Sequence, residues 1–178
     1  MNTLLRINKK IQSFNQKIDV DGDKSLSIRW VLLASQATGK SKAYNLLMSE
    51  DVLAAMESIK KLGINFKIYK DYCEIDGHGI NGFKYKKNLT IDARNSGTLG
   101  RLILGLLIKT PQKIRLIGDK SLSKRDFSRV TTPLKKFGVK FYYETENKLP
   151  LSILGTQFAP GIKYLENKGS AQCKSSVM

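Results

Sequence analysis

One segment of this chain is written twice, and that repetition limits its fold more than any other feature. Leu53, Met56, Ile59 and Leu62 fall at helical spacing, Gly63 interrupts, and Ile64, Phe66 and Ile68 then alternate with Asn65, Lys67 and Tyr69. The pattern predicts a helix, a glycine cap and a strand. Residues 129–143 repeat it with Val130, Leu134 and Phe137, then Gly138, then Val139, Phe141 and Tyr143 alternating with Lys140 and Tyr142. Lys60-Lys61-Leu62-Gly63-Ile64 and Lys135-Lys136-Phe137-Gly138-Val139 lie 75 positions apart.

A more apolar segment precedes each copy, Ile28–Ala37 and Leu99–Ile108, with Arg29 and Arg101 near the two starts. Apolar residues run nearly all round these segments, so both are expected as buried helices. Short strands are expected at Lys42–Leu47 and Lys113–Ile117. The repeating unit is then buried helix, strand, amphipathic helix, strand, strand. It predicts an α/β (α+β) fold with the buried helices facing inward and the sheets outside. A third unit is expected to open at Gly169-Ser170-Ala171-Gln172, so the chain holds two units and the start of a third. Residues 1–20, with Leu4, Ile7 and Ile11, are expected to form a separate leader, and residues 21–178 an incomplete domain.

Composition narrows the function classes. The 178 residues carry 31 Lys+Arg against 15 Asp+Glu, a net charge of +16, and are 41% hydrophobic. That apolar content is too high for a disordered chain. The longest apolar run, Leu102–Ile108, is far short of the roughly 20 residues a spanning helix needs, so no membrane partner is expected. The N-terminus has no signal-peptide pattern, and a cytoplasmic location is expected. Cys73 and Cys173 have no C-x-x-C partner and are expected to be buried thiols. The single histidine, His78, sits in Asp76-Gly77-His78-Gly79 with no acid or nucleophile pattern around it and is expected in a solvated turn. Histidine-driven catalysis is therefore not expected.

Charge and small residues gather at the unit starts. Gly22-Asp23-Lys24-Ser25-Leu26-Ser27-Ile28-Arg29, Asn95-Ser96-Gly97-Thr98-Leu99-Gly100-Arg101 and Ser170-Ala171-Gln172-Cys173-Lys174 each put small or hydroxyl residues where a helix begins. Free N–H groups and the helix dipole favour an anion there. Ser25 and Arg29 are four apart and Thr98 and Arg101 three apart, so each pair can present a hydroxyl and a guanidinium on one helix face. If the units are related by rotation, the three starts meet in one polyanion pocket. The loop Gly118-Asp119-Lys120-Ser121-Leu122-Ser123-Lys124-Arg125-Asp126 adds further cations.

At these residues the chain resembles the N-terminal half of the 5-enolpyruvylshikimate-3-phosphate synthases (3-phosphoshikimate 1-carboxyvinyltransferases). The resemblance runs from about Asp21 to Met178 and rests on the Gly22–Arg29 run, Asn95-Ser96-Gly97-Thr98, Lys124-Arg125 and Ser170-Ala171-Gln172, in order. It implies two similar three-unit domains with the substrates between them, and a leader that packs with the other domain. The implied reaction moves the enolpyruvyl group of phosphoenolpyruvate to the 5-hydroxyl of shikimate 3-phosphate, with no metal or organic cofactor and a monomeric full-length protein. By resemblance, Lys24 is the catalytic cation touching both substrates, and Ser25 and Arg29 hold the shikimate. Gly97 and Arg125 bind phosphoenolpyruvate with Arg101 as a second cation. Ser170 and the backbone at Ala171 bind the 3-phosphate, and Gln172 lies between the substrates. The carboxylates expected as acid and base belong to the second domain, so this chain alone is not expected to turn over.

Asp21, Ile28 and Asp126 depart from the family pattern. Two other readings compete. The sister transferase acting on UDP-N-acetylglucosamine shares the fold, but it opens with Lys-Asn and carries a loop cysteine. Here Ser25 follows Lys24, and residues 118–126 contain no cysteine. A nucleic-acid-binding module would use the +16 charge, yet the Lys-Lys pairs are scattered and the aromatics fall at alternating strand positions.

Overall fold

The computed structural model describes residues 17–166 and 169–178, together with Arg6, Asn8, Ser13 and Asn15. The leader positions Leu4, Ile7 and Ile11 lie outside the described residues. Unit 1 comprises α1 (Lys24–Gln36), β1 (Thr38–Tyr44), α2 (Glu50–Lys61), β2 (Asn65–Ile68) and β3 (Tyr72–His78). Unit 2 repeats the order with α3 (Gly97–Leu106), β5 (Ile114–Ile117), α4 (Ser128–Lys135), β6 (Lys140–Tyr143) and β7 (Leu151–Leu154), and adds β4 (Thr90–Asp92) at its front. A further helix, α5 (Ala171–Val177), follows.

The two sheets have the same topology. Unit 1 is ordered β1-β3-β2 and unit 2 β4-β5-β7-β6, with the last strand of each unit at the centre and antiparallel to both of its partners. Phe66 faces Ile75 across one sheet as Phe141 faces Ile153 across the other. Gly63 and Gly138 end the amphipathic helices at φ +87° and +89°, a region that favours glycine. A Cβ on Gly63 would also lie 2.4 Å from the Lys84 carbonyl oxygen. The strand β4, parallel to β5, was not expected.

The helices pack inside. Ile28, Val31 and Leu32 of α1, Val52, Met56 and Ile59 of α2, and Leu99, Ile103 and Leu104 of α3 are buried with Ile75 and Ile153 from the sheets. Each such side chain contributes about 1.5–3 kcal/mol by leaving water. The two unit-opening helices differ, however. α3 packs against both α1 and α5 and buries most of its surface. α1 buries Ile28, Val31 and Leu32 but leaves Leu26 and Leu33 about two-thirds exposed. An all-round apolar sequence thus becomes all-round burial only where neighbours lie on both sides.

Three boundaries shift from expectation. α1 begins at Lys24 because the Asp23 carboxylate caps it, accepting from the Leu26 N–H at 2.7 Å. β1 occupies Thr38–Tyr44 rather than residues 42–47, since it pairs along all of β3. His78 is the last residue of β3, facing Thr38, with its side chain exposed. Gly77 beside it allows the strand to cross the end of α1, where a Cβ would meet the Ala34 and Ala37 carbonyl oxygens at 2.2 and 2.4 Å. Cys73 and Cys173 are both buried and free, as expected. No helix among the described residues is long and apolar enough to cross a membrane.

Candidate anion-binding site

The three expected helix starts share one construction. Asp23, Ser96 and Ser170 are the N-caps of α1, α3 and α5, and the side chain of each accepts from the backbone N–H three residues on, at Leu26, Leu99 and Cys173. The N–H of Gly97 and of its equivalents at Lys24 and Ala171 therefore opens each helix beside a satisfied cap.

Side-chain bonds join these starts. Gln172 donates from Nε2 to Thr98 Oγ1 at 2.9 Å and accepts at Oε1 from Arg101 Nη1 at 3.1 Å. Ser176 Oγ donates to the Arg101 carbonyl at 2.9 Å. Early residues of α5 thus meet early residues of α3 and later meet later, so the two helices run the same way. Arg29 Nε reaches Ser175 Oγ at 3.4 Å, tying α1 to the same helix. The N-termini of α3 and α5 therefore lie side by side at one end of the helix layer.

At Gly97 two cations come close to a helix start. A Cβ there would sit 2.9 Å from Arg125 Nη1 and 3.0 Å from Arg101 Nη1, so the missing side chain lets two guanidinium groups approach one helix start. Arg101 also donates to the Gly97 carbonyl and lies over the Phe127 ring, its guanidinium carbon 5.6 Å from the centroid. Burial lowers the Arg101 pKa from its usual value, and the nearby charges of Arg125 and Arg129 push the same way. The group still remains a cation at neutral pH. Like charges gathered beside helix N–H groups raise one another's energy, and a bound anion relieves that repulsion.

The basic loop is anchored to this site. Asp119 accepts from Asn95 Nδ2 at 2.5 Å and from the Leu122 N–H at 2.7 Å, and its own N–H donates to the Arg94 carbonyl. Those donors hold its carboxyl below the usual range. This link between residues 95 and 119 carries Arg125 to Gly97.

The other expected residues are placed differently. Lys24 forms an ion pair with Asp51 in the first turn of α2, 3.2 Å apart. Arg29 Nη1 bonds the Ser25 carbonyl, so the expected hydroxyl–guanidinium pair on α1 is joined through backbone. Thr98 likewise meets Gln172, and Arg101 meets Gln172 and Gly97, so these two act through the shared amide. By position after the N-cap, Arg29 is one residue later than Arg101 and lies about 100° round its helix from the equivalent place. Asp51 lies outside the motif runs, while Asn95 and Asp119 lie within them without their bond to each other being marked. The acidic pair Glu50-Asp51 opening α2 was the available signal for the first of them. Among the described residues, no group of three or more His, Cys, Asp or Glu is placed to hold a metal ion.

Comparison with known proteins gives this arrangement a relationship. The sequence model of the family described as EPSP synthase (3-phosphoshikimate 1-carboxyvinyltransferase) matches residues 8–178. A 3-phosphoshikimate 1-carboxyvinyltransferase of Streptococcus mutans is 37% identical over 175 residues, covering 98% of this chain and 41% of the relative. One of Streptococcus pyogenes is 39% identical over 162 residues, covering 90% and 37%. A solved EPSP synthase of Acinetobacter baumannii superimposes with a TM-score of 0.84 at 34% identity, covering 91% of this chain and 37% of that one. The chain spans about two-fifths of the length of the curated relatives it matches. Its repeated units, its three capped helix starts and its sequence together place this chain in the EPSP synthase family.

Proposed function

We propose that this chain is the part of a 3-phosphoshikimate 1-carboxyvinyltransferase that gathers the two anionic substrates, phosphoenolpyruvate and shikimate 3-phosphate. The observation that carries the reading is the approach of Arg101 and Arg125 to the α3 start at Gly97. Phosphoenolpyruvate brings a phosphate and a carboxylate, and it meets a second phosphate held at the α5 start by Ser170 and the backbone of Ala171. Gln172, bonded to both Arg101 and Thr98, stands between the two. Lys24, Ser25 and Arg29 complete the shikimate side.

In the reaction the 5-hydroxyl oxygen loses its proton and bonds to C2 of phosphoenolpyruvate as the C2–C3 double bond opens and C3 gains a proton, giving a tetrahedral intermediate; cleavage of the C2–O bond to phosphate with loss of a C3 proton then releases inorganic phosphate and restores the enolpyruvyl double bond. Fixed cations are suited to this step because negative charge is present throughout and water need not reorganise around it. Carboxylates from beyond residues 21–178 supply proton transfer, so the chain alone binds without turning over. The reading places the whole protein in the cytoplasm as a monomer, with small molecules and not nucleic acid as its partners.

Titration calorimetry of the 178-residue chain with each substrate tests this. Binding of both ligands is expected, with phosphoenolpyruvate weakened at least tenfold in Arg125→Ala and shikimate 3-phosphate largely spared. Equal binding by the wild type and the variant would remove Arg125 from the site. Phosphate release by the isolated chain would overturn its catalytic silence. Retention on DNA that falls steeply with salt, without affinity for either substrate, would favour the nucleic-acid reading instead.

A further inference from the structure

One residue of unit 2 breaks its local rule. Phe127 occupies the N-cap position of α4, where short polar side chains are favoured. The carboxylate beside it takes over the task, with Asp126 Oδ1 accepting from the Ser128 N–H at 2.6 Å. In unit 1 the N-cap position of the matching helix, α2, holds Ser49, a residue of the ordinary kind. A residue that departs from local preference answers a demand from elsewhere in the fold.

That demand comes from α3. Phe127 is wholly buried, and its ring lies against the α3 backbone where Gly100 has no side chain. A Cβ on Gly100 would be 3.4 Å from both Cε1 and Cζ of the ring. The next residue, Arg101, lays its guanidinium over the same ring, 5.6 Å from the centroid. The Phe127 backbone is fixed on both sides, its N–H donating to the Asn147 carbonyl at 2.8 Å and its carbonyl accepting from the Val130 and Thr131 N–H groups at 3.0 Å. The ring is thus held, and the long arginine side chain is the part that must be ordered. Arg101 Nη1 donates to the Gly97 carbonyl and to Gln172 Oε1, so these bonds hold one edge of the guanidinium while the ring covers its face.

The internal repeat supplies a comparison. The N-caps Asp23 and Ser96 are 73 positions apart, which puts Ser27 and Ile28 of α1 where α3 has Gly100 and Arg101. Unit 1 has no glycine, no arginine and no ring at the three places, so all three differ together between the units. We propose that Phe127 is a positioning residue for the α3 anion site: its ring fixes the Arg101 guanidinium at the Gly97 start, so that the cation is in place before an anion arrives. An aromatic face attracts a guanidinium and leaves its N–H donors to the ligand, whereas a carboxylate there would hold the arginine and cancel its charge. The effect on affinity rests on the proposed phosphoenolpyruvate reading; the contact between ring and guanidinium does not.

A double-mutant cycle in the 178-residue chain tests it, with Phe127→Leu, Arg101→Met and the two combined. Calorimetry is expected to show phosphoenolpyruvate bound about threefold to tenfold more weakly by Phe127→Leu than by the wild type, with shikimate 3-phosphate affinity unchanged. In the Arg101→Met background the same substitution is expected to alter phosphoenolpyruvate affinity by less than about twofold, because the group it positions is gone. An equal loss in both backgrounds would make Phe127 a packing residue only and overturn the proposal, as would an unchanged affinity in Phe127→Leu. Melting temperatures of the four proteins read the contact without ligand: the two substitutions are expected to be non-additive, and additive shifts reject the contact. If the wild type does not bind phosphoenolpyruvate, the proposed function fails and the melting cycle alone decides whether the ring holds the arginine. Phe127→Met replaces the leucine variant if that chain does not fold, with the same outcomes.

Discussion

Gly97 shows how much a single missing carbon can do. Arg101 and Arg125 both reach the space a Cβ would fill, so Gly97→Ala pushes at least one guanidinium away from the α3 start. A charge-assisted hydrogen bond contributes about 1.5–3 kcal/mol. Affinity for phosphoenolpyruvate is therefore expected to fall about tenfold to a hundredfold in calorimetry, while the melting temperature stays near that of the wild type. Unchanged affinity would show that the two cations do not act at this point. Asp119 makes a pH prediction. Its carboxyl is held below the usual value, chiefly by the Leu122 N–H and then by Asn95, so its contribution is complete above the unfolded value of 3.8. That contribution is lost as pH falls further, through the folded value. Thermal scans below pH 4 should show a shallower pH slope in Asp119→Asn than in the wild type; identical slopes would remove Asp119 as the clamp. At this scale, part of the site was legible. The caps at Asp23, Ser96 and Ser170 are visible as short polar residues before apolar runs, and Arg125 as a loop cation. The Asn95–Asp119 bond and the Lys24–Asp51 pair were not, because the partners are far apart in sequence and nothing local marks them.

The α3–α5 contact is the joint on which the elements depend. A Cβ on Gly105 would lie 2.1 Å from the Ser176 carbonyl oxygen, so only glycine lets the two backbones come this close. Gly105→Ala is expected to cost about 1–3 kcal/mol and to raise amide exchange along α5, because backbone cannot yield as a side-chain tip can. Gly161→Ala, with nothing within 4 Å of its Cβ, is the matched control and should leave both measurements unchanged. If α5 exchanges equally in the two variants, the close approach does not hold the helix. Most elements were legible here because each unit is long and strongly periodic, and because the second copy confirms the first. β4 was not, since three residues carry too little alternation to stand out. The one-sided exposure of α1 was also hidden, because periodicity tells which residues are apolar but not which neighbours arrive to cover them.

For the whole molecule, a net charge of +16 means that folding draws like charges together. Added salt should raise the melting temperature by screening, and inorganic phosphate should raise it further at equal ionic strength by binding the folded state. Arg125→Ala should abolish only the phosphate-specific part. A phosphate effect no larger than that of chloride would mean that the charge is diffuse and the site absent. The repeat governs one more property, the order of events in time. Within each unit, the contacts between helix and strands close over modest stretches of chain. The bonds that assemble the site span 71 residues from Arg101 to Gln172 and 146 from Arg29 to Ser175. Closing such loops comes late, because their entropy is lost before any contact rewards it. The two units are therefore expected to form first and the anion site last, on the native side of the rate-limiting barrier. Phosphate would then slow unfolding in stopped-flow measurements and leave the refolding rate almost unchanged, making the ligand a brake on loss of the fold and not a guide to its formation.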